Sequence, residues 1–431
     1  MIQFPREYYL QQLIDNQWNG LVKVICGLRR SGKSYLLFHL FRQHLLSQGV
    51  AEADIIALSL EEDANAAFRE PEVLGNFLRS RLSDSSRQYY VLLDEIQFAI
   101  TAEELRNHDC PIRLYGILNE LLNRGNVDVY VTGSNSKMLS TDILTEFRGR
   151  GDVIEVYPLS FREYYGQAGG EPTRAYEAYL RYGGMPLVWR LPDDQRRARY
   201  LTGLFDELFL KDILERYRID QPHVLAELTE VLCSSIGSLT NVNKLLKTLA
   251  SVKGLKLSHE VIANDLDYLT DAFLFRCARR YDVKGKKYFS YPSKYYCADL
   301  GLRNARLNWR QQEETHLQEN VIFNELIARG YSVDVGVVEM SDRQPDGQSQ
   351  RKATEIDFIA NWGMKRYYIQ SALSLDGDEK ARQEVRPLLA VKDLFRKVII
   401  TKTAAAPWLD ERGVLHLGIY DFLLNPASLD G

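Results

Sequence analysis

Residues Gly27-Leu28-Arg29-Arg30-Ser31-Gly32-Lys33-Ser34 satisfy the phosphate-binding P-loop pattern without a mismatch, and nothing else in the chain restricts its fold so strongly. The pattern has meaning only between a strand and a helix. Both are legible. Leu21, Val22, Val24 and Ile25 precede it as an apolar run suited to a buried parallel strand, and Tyr35 to Leu45 follow with apolar residues at helical spacing until Gly49. In that setting the backbone N–H groups of the turn, at Gly27, Arg30, Ser31 and Gly32, wrap phosphates together with the helix N-terminus. Lys33 places a charge on the β/γ-phosphates and the Ser34 hydroxyl coordinates Mg²⁺. The expectation is a protein that binds a nucleoside triphosphate, with ATP and Mg²⁺ as its cofactors.

Further along, Gln88-Tyr89-Tyr90-Val91-Leu92-Leu93 ends in Asp94-Glu95-Ile96-Gln97, the form of a Walker B strand. Asp94 would support the metal and Glu95 would polarise the attacking water, so hydrolysis is expected rather than transfer to a small molecule. A third apolar run, Val127 to Val131, leads into Thr132-Gly133-Ser134-Asn135-Ser136. A polar residue at such a strand tip can contact the γ-phosphate, and Asn135 or Ser134 is the candidate. Arg148 and Arg150, in Phe147-Arg148-Gly149-Arg150-Gly151, are candidates for an arginine finger reaching a neighbour's nucleotide; a solvated turn is the other reading of those residues.

At 431 residues the chain calls for two or three domains. A net charge of −4 argues against a global nucleic-acid surface, so any such surface must be local. No apolar run has the length of a membrane span and the N-terminal residues lack signal-peptide architecture, which points to a cytoplasmic protein without a membrane partner. Five scattered cysteines, Cys26, Cys110, Cys233, Cys277 and Cys297, have neither zinc spacing nor a disulfide framework and read as reduced thiols.

Residues 1–165 alternate strand-like and helix-like segments, which predicts an α/β fold, a parallel αβα sandwich of the P-loop type. Residues 166–221 read as helices, interrupted at Gly183-Gly184-Met185-Pro186, forming a helical lid. In 222–310 the segments Asn241 to Ala250 and Ser258 to Tyr268 resemble a helix-turn-helix, and the stretch from Phe273 to Tyr291 a β wing, which together suggest a winged helix. Residues 276–310 hold ten basic side chains against Asp282 and Asp299, with tyrosines interleaved. Arg279, Arg280, Lys284, Lys286 and Lys287 are therefore the candidate DNA contacts, although winged helices also bind proteins.

Residues 311–431 follow the order of a restriction-nuclease-like α/β core. Glu319 on a helix, Asp357 at a strand and Gln370 on the next strand fit a PD-(D/E)xK-type site, whereas the lysine position holds Ala372. Without that ammonium the domain is expected to be inactive as a nuclease and kept for binding or assembly.

The ordered set GLRRSGKS, LLDEIQ, TGSNS, FRGRG, YLRYGGMP and EIDFI, spread over nearly the whole chain, resembles a widespread bacterial and archaeal family of AAA-type (AAA+) ATPases with a nuclease-like C-terminal domain. The resemblance implies an oligomeric AAA+ machine, a hexamer or a multiple of it, in which Arg148 and Arg150 match the family's GR pair. It also implies a winged-helix middle and a C-terminal domain whose lysine is often absent. The function expected from sequence is thus a Mg-ATP hydrolase that binds and remodels or translocates DNA. The alternative is a nucleotide-dependent switch or scaffold binding protein partners in defence or signalling.

Overall fold

Apolar residues fill both faces of the strand entering the P-loop, and this sets the architecture around it. In the computed structural model the strand is β1, Val22–Cys26, buried along its whole length. The structure describes residues 3–101, 104, 111–134, 151–289, 292–343, 349–403 and 406–430. These fall into two units, Gln3–Pro158 with Asp271–Phe273, and Leu159–Thr270 with Leu274–Gly431.

In the first unit β2 (Ile55–Ser59), β3 (Tyr89–Asp94), β4 (Val127–Thr132) and β5 (Gly151–Glu155) join β1 in a parallel sheet of order β2-β3-β4-β1-β5. The apolar runs read ahead of the P-loop, ahead of Asp94-Glu95 and over Val127 to Val131 form β1, β3 and β4. Parallel strands covered on both faces read as continuous apolar runs, which is why they were legible. Lys23 is the exception inside β1. It is fully buried and paired with Asp128 on β4, whose carboxylate also accepts from the Trp18 amide at 3.1 Å and the Tyr130 hydroxyl at 2.9 Å. A buried ion pair persists when its remaining lone pairs are also satisfied, as here. After the P-loop, helical residues run through Lys33–Tyr35, a π-helical Leu36–Phe41 and Arg42–Ser47. Leu36, Leu37, Phe41 and Leu45 bury themselves in one core with Ile25, Ile55, Leu92, Tyr130 and Ile154.

The second unit begins with helices whose start signals are explicit. Ser160 and Glu163 form a reciprocal capping box for Phe161–Ala168, Pro172 opens Pro172–Tyr182, and the Asp193 side chain caps Asp194–Gly203. Helices Pro222–Ser234, Val242–Lys253 and His259–Asp271 follow, with Gly254 at φ 68 closing the second of them.

The stretch read as a wing divides. β6 (Phe275–Ala278) pairs antiparallel with β9 (Lys294–Cys297), whereas β7 (Arg280–Asp282) forms a hairpin with β8 (Lys287–Tyr288) and lies parallel to β10 (Ser332–Arg343). Val283 supplies the reason. The one apolar side chain of a charged turn, it is buried with Val338, Ile356, Ile359 and Tyr368, and its amide donates to the Val337 carbonyl at 3.0 Å. The hairpin is thereby drawn across the 310/311 boundary into an eight-stranded sheet, order β14-β15-β13-β12-β11-β10-β7-β8. Its other strands are β11 (Ser349–Trp362), β12 (Lys365–Ala372), β13 (Arg396–Thr401), β14 (Trp408–Leu409) and β15 (Val414–Gly418). Strands β10 to β12 are antiparallel, and β13 and β15 continue parallel to β12. Among the described residues no helix is long and apolar enough to cross a membrane. Cys26, Cys233 and Cys297 are buried, Cys277 is exposed, and none of the four is in a disulfide; Cys110 lies outside the described residues.

Candidate functional site

The P-loop is shaped by backbone conformations that most residues avoid. Gly27 (φ 131) and Gly32 (φ 101) use the freedom of glycine, and a side chain at Gly27 would set its Cβ 2.3 Å from the Val156 carbonyl oxygen. Arg30 is also left-handed, at φ 62, and its side chain is exposed. Ser31 is fully buried and its hydroxyl has no hydrogen-bond partner. A buried orphan hydroxyl inside a turn lined by backbone N–H groups fits an anionic ligand that would satisfy it.

Lys33 is buried and donates from Nζ to the Gly27 and Leu28 carbonyls at 3.0 and 3.1 Å. Burial pushes its pKa down, and the neighbouring Glu95 and Asp94 only partly offset this. Ser34 Oγ donates to Asp94 Oδ1 at 2.9 Å, and the same oxygen accepts from the Thr132 hydroxyl at the end of β4. Burial raises the Asp94 pKa against these hydrogen bonds. Strand order explains the meeting: β3 and β4 are adjacent and β4 borders β1, so the carboxyl ends of all three converge.

Glu95 leaves β3 at φ 53, a left-handed conformation, with its amide donating to Thr132 Oγ1 at 3.0 Å. Its carboxylate accepts from Ser134 Oγ at 3.2 Å and from the Gln97 amide. The structure brings together Gly27, Lys33, Ser34, Asp94 and Glu95, with Ser31 in the same loop. It adds Thr132 and Gln97, which the sequence reading passed over; a hydroxyl one residue before the Gly133 turn was the available signal. Ser134, the alternative at the strand tip, touches Glu95. Asn135, Arg148 and Arg150 lie outside the described residues.

In the second unit the Gly-Gly-Met-Pro segment is a backbone clasp. Asp299 is buried and accepts from the Gly184 amide at 2.6 Å and the Leu302 amide at 3.0 Å. A Cβ at Gly183 would fall 2.2 Å from Asp299 Oδ1, and one at Gly184 would fall 2.1 Å from the Leu159 carbonyl oxygen. Both glycines are thus required by close approach.

The hairpin carries the five candidate DNA contacts. Lys284, Lys286 and Lys287 are exposed, Arg279 lies over the Tyr288 ring at 4.3 Å, and Arg280 lies over Phe289 at 5.2 Å. Three other cations of the basic stretch do not belong to that surface. Arg303 is 1% exposed and donates to the Cys233 carbonyl at 2.9 Å, Arg306 donates to the Ala226 carbonyl at 2.7 Å, and Lys294 is 4% exposed. Tyr296 is likewise core, stacked on Phe323 at 4.1 Å.

Glu319 and Asp357 of the nuclease-like set are brought together, both near Lys294 Nζ, at 2.9 and 3.9 Å. Gln370 Oε1 accepts from the Asp357 amide at 3.4 Å, while its Nε2 donates to Glu384 at 3.1 Å. Ala372 is buried, its carbonyl accepting from Gln318 at 2.9 Å.

The fold and the loop define the class: residues 19–165 match the model of the AAA domain, and residues 173–313 match a domain of unknown function. An uncharacterized protein of Haemophilus influenzae is 33% identical over 401 residues, covering 92% of this chain and 92% of its own. This chain belongs to the same family as that protein. An uncharacterized protein of Methanocaldococcus jannaschii is 28% identical over 397 residues, covering 89% of this chain and 80% of its own. Among solved structures, AMPPCP-bound DnaA from Aquifex aeolicus covers 63% of this chain and 89% of its own at 15% identity, with a TM-score of 0.32. The Aeropyrum pernix ORC1 protein in complex with DNA covers 71% and 93% at 16% identity, with a TM-score of 0.29.

Proposed function

We propose that the chain is an ATP hydrolase of the AAA type that works on DNA as a homo-oligomer. The observation that carries the catalytic part is the hydrogen-bonded sequence Ser34–Asp94–Thr132–Glu95, built against the P-loop. The Ser31 hydroxyl has no partner and can receive a phosphate oxygen, and Lys33 can exchange its two loop carbonyls for phosphate. Mg²⁺ held at Ser34 and Asp94 would neutralise charge developing on the phosphates. Thr132 fixes Asp94 and the Glu95 backbone in one step. Glu95, steadied by Ser134 and Gln97, is the base that orients and deprotonates water.

Asn135 as a γ-phosphate contact and Arg148 or Arg150 as a finger from a neighbouring subunit complete the proposed site. The cytoplasm is the proposed location. DNA contact is assigned to the β7–β8 hairpin, whose exposed lysines and ring-stacked arginines form a local basic edge on an acidic chain.

Binding and chemistry separate in two variants. Lys33→Ala is expected to lose ATP binding, and Glu95→Gln to keep binding while turnover falls by about a hundredfold or more. Wild-type turnover in Glu95→Gln would remove Glu95 from the mechanism.

A further inference from the structure

Lys294 reaches from β9 into the space between the helix Glu314–Ala328 and β11. Its Nζ lies 2.9 Å from Glu319 Oε1, 2.6 Å from Glu355 Oε1 and 3.9 Å from Asp357 Oδ1. The remaining contacts hold the carboxylates in place. Tyr296 donates to Glu319 Oε1 at 2.6 Å, and the Ser371 amide donates to Asp357 Oδ2 at 2.8 Å. Lys294, Glu319 and Asp357 are all buried, whereas the Glu355 side chain is 31% exposed and forms the open side.

Carboxylates alone would not define a site. What distinguishes this one is the buried cation seated among them. Three oxygens from separate residues converging on one point are the donor set that a hard divalent cation takes, and here an ammonium occupies the point. Burial works against the Lys294 charge, but Glu319, Asp357 and Glu355 together outweigh it and hold its pKa above the usual lysine value. Burial and the Glu319 charge also raise the Asp357 pKa, well above the carboxylate range. We propose that the Lys294 ammonium holds the cation position of the Glu319–Glu355–Asp357 cluster and so closes it to divalent metal. The closing element is thus a lysine from β9, in addition to the missing lysine at Ala372. Pairing of β9 with β6 fixes the backbone from which Lys294 reaches in, and withdrawing its ammonium would leave the buried carboxylates without their counter-ion.

The experiment compares Mn²⁺ binding, by electron paramagnetic resonance and by thermal shift, in nucleotide-free wild type, Lys294→Met and Lys294→Met/Glu355→Gln. Wild type should show no Mn²⁺ binding that depends on Glu355. Lys294→Met should melt lower in chelator, regain about 4 °C or more in millimolar Mn²⁺, and lose that gain when Glu355→Gln is added. Subtracting the double variant removes any contribution from the P-loop. Mn²⁺ binding by wild type that Glu355→Gln abolishes, or Mn²⁺-dependent DNA cleavage by wild type lost with the same change, would overturn the proposal. So would a folded Lys294→Met that binds no Mn²⁺. If Lys294→Met does not fold, Lys294→Gln removes the charge while keeping N–H donors, and the wild-type comparison with Glu355→Gln decides by itself.

Discussion

Thr132→Val tests how the proposed base is held. The position is fully buried, and the change removes a hydroxyl while keeping a branched side chain, so its effect is concentrated in two hydrogen bonds. The Glu95 amide loses the acceptor at 3.0 Å, and Asp94 loses a donor. A buried N–H left without a partner costs about 1–3 kcal/mol. Glu95 already sits at φ 53, and a left-handed conformation costs a residue other than glycine about 1–2 kcal/mol. Released from Thr132, the backbone at Glu95 relaxes toward negative φ, and its carboxylate leaves Ser134 and Gln97. If about 1.4–2.7 kcal/mol of that bias is released, the correctly held fraction, and turnover with it, falls about 10- to 100-fold. Lys33 and Ser34 are untouched, so ATP affinity should stay within about threefold. Thr132→Ser restores the hydroxyl and should recover most of the turnover. Phosphate release at saturating ATP, read beside nucleotide binding by calorimetry and urea unfolding, makes the comparison. Full turnover in a folded Thr132→Val, or an equal loss in Thr132→Ser, would refute the reasoning.

Neutral substitution of Arg148 or Arg150 should abolish hydrolysis but leave ATP affinity of the isolated subunit intact. Mixing that variant with Lys33→Ala subunits should recover some turnover; none at any ratio, with assembly confirmed, rules out a finger in trans. Removing the charges at Arg279, Arg280, Lys284, Lys286 and Lys287 should flatten the log–log salt dependence of DNA binding by about one unit per lost contact, with basal ATP turnover kept. An unchanged slope would favour the partner-binding switch. Asp299 offers a pH test, because burial pushes its carboxyl up to about 6. A raised folded pKa stabilises below the unfolded value and is lost as pH rises, so between about pH 4 and pH 6 the group should withdraw about 3 kcal/mol of stability. Asp299→Asn should remove that portion of the slope in urea unfolding, and an identical slope in the variant would contradict the assignment.

The P-loop unit was legible because its determinants are local. Buried parallel strands are continuous apolar runs, the P-loop residues are contiguous, and Asp94-Glu95 directly follows the apolar run of β3. Thr132 was hidden because its partners, Asp94 and Glu95, lie on a neighbouring strand distant in sequence. The basic stretch misled for the opposite reason. Counting charge along the chain cannot separate Lys284, exposed on a hairpin, from Arg303, whose guanidinium serves the Cys233 and Gln311 carbonyls. The wing was mis-divided at Val283, where one apolar residue decides that the hairpin joins the large sheet. Local pattern does not reveal which sheet a strand extends.

Asp94 and Asp357 show what sequence spacing leaves out. Each is a buried carboxylate near a lysine, and burial raises the pKa of both. They differ in what faces the oxygens. Ser34 and Thr132 donate hydroxyl protons to Asp94, and a hydroxyl keeps lone pairs, so Ser34 can turn its oxygen toward a metal without leaving its place. The ammonium that faces Glu319, Glu355 and Asp357 has no lone pair to offer and must depart before a metal can enter. On the proposals made for the two units, one carboxylate site admits Mg²⁺ with its nucleotide and the other excludes it. The discriminating side chains are Ser34, which the P-loop pattern contains, and Lys294, which none of the motifs contains.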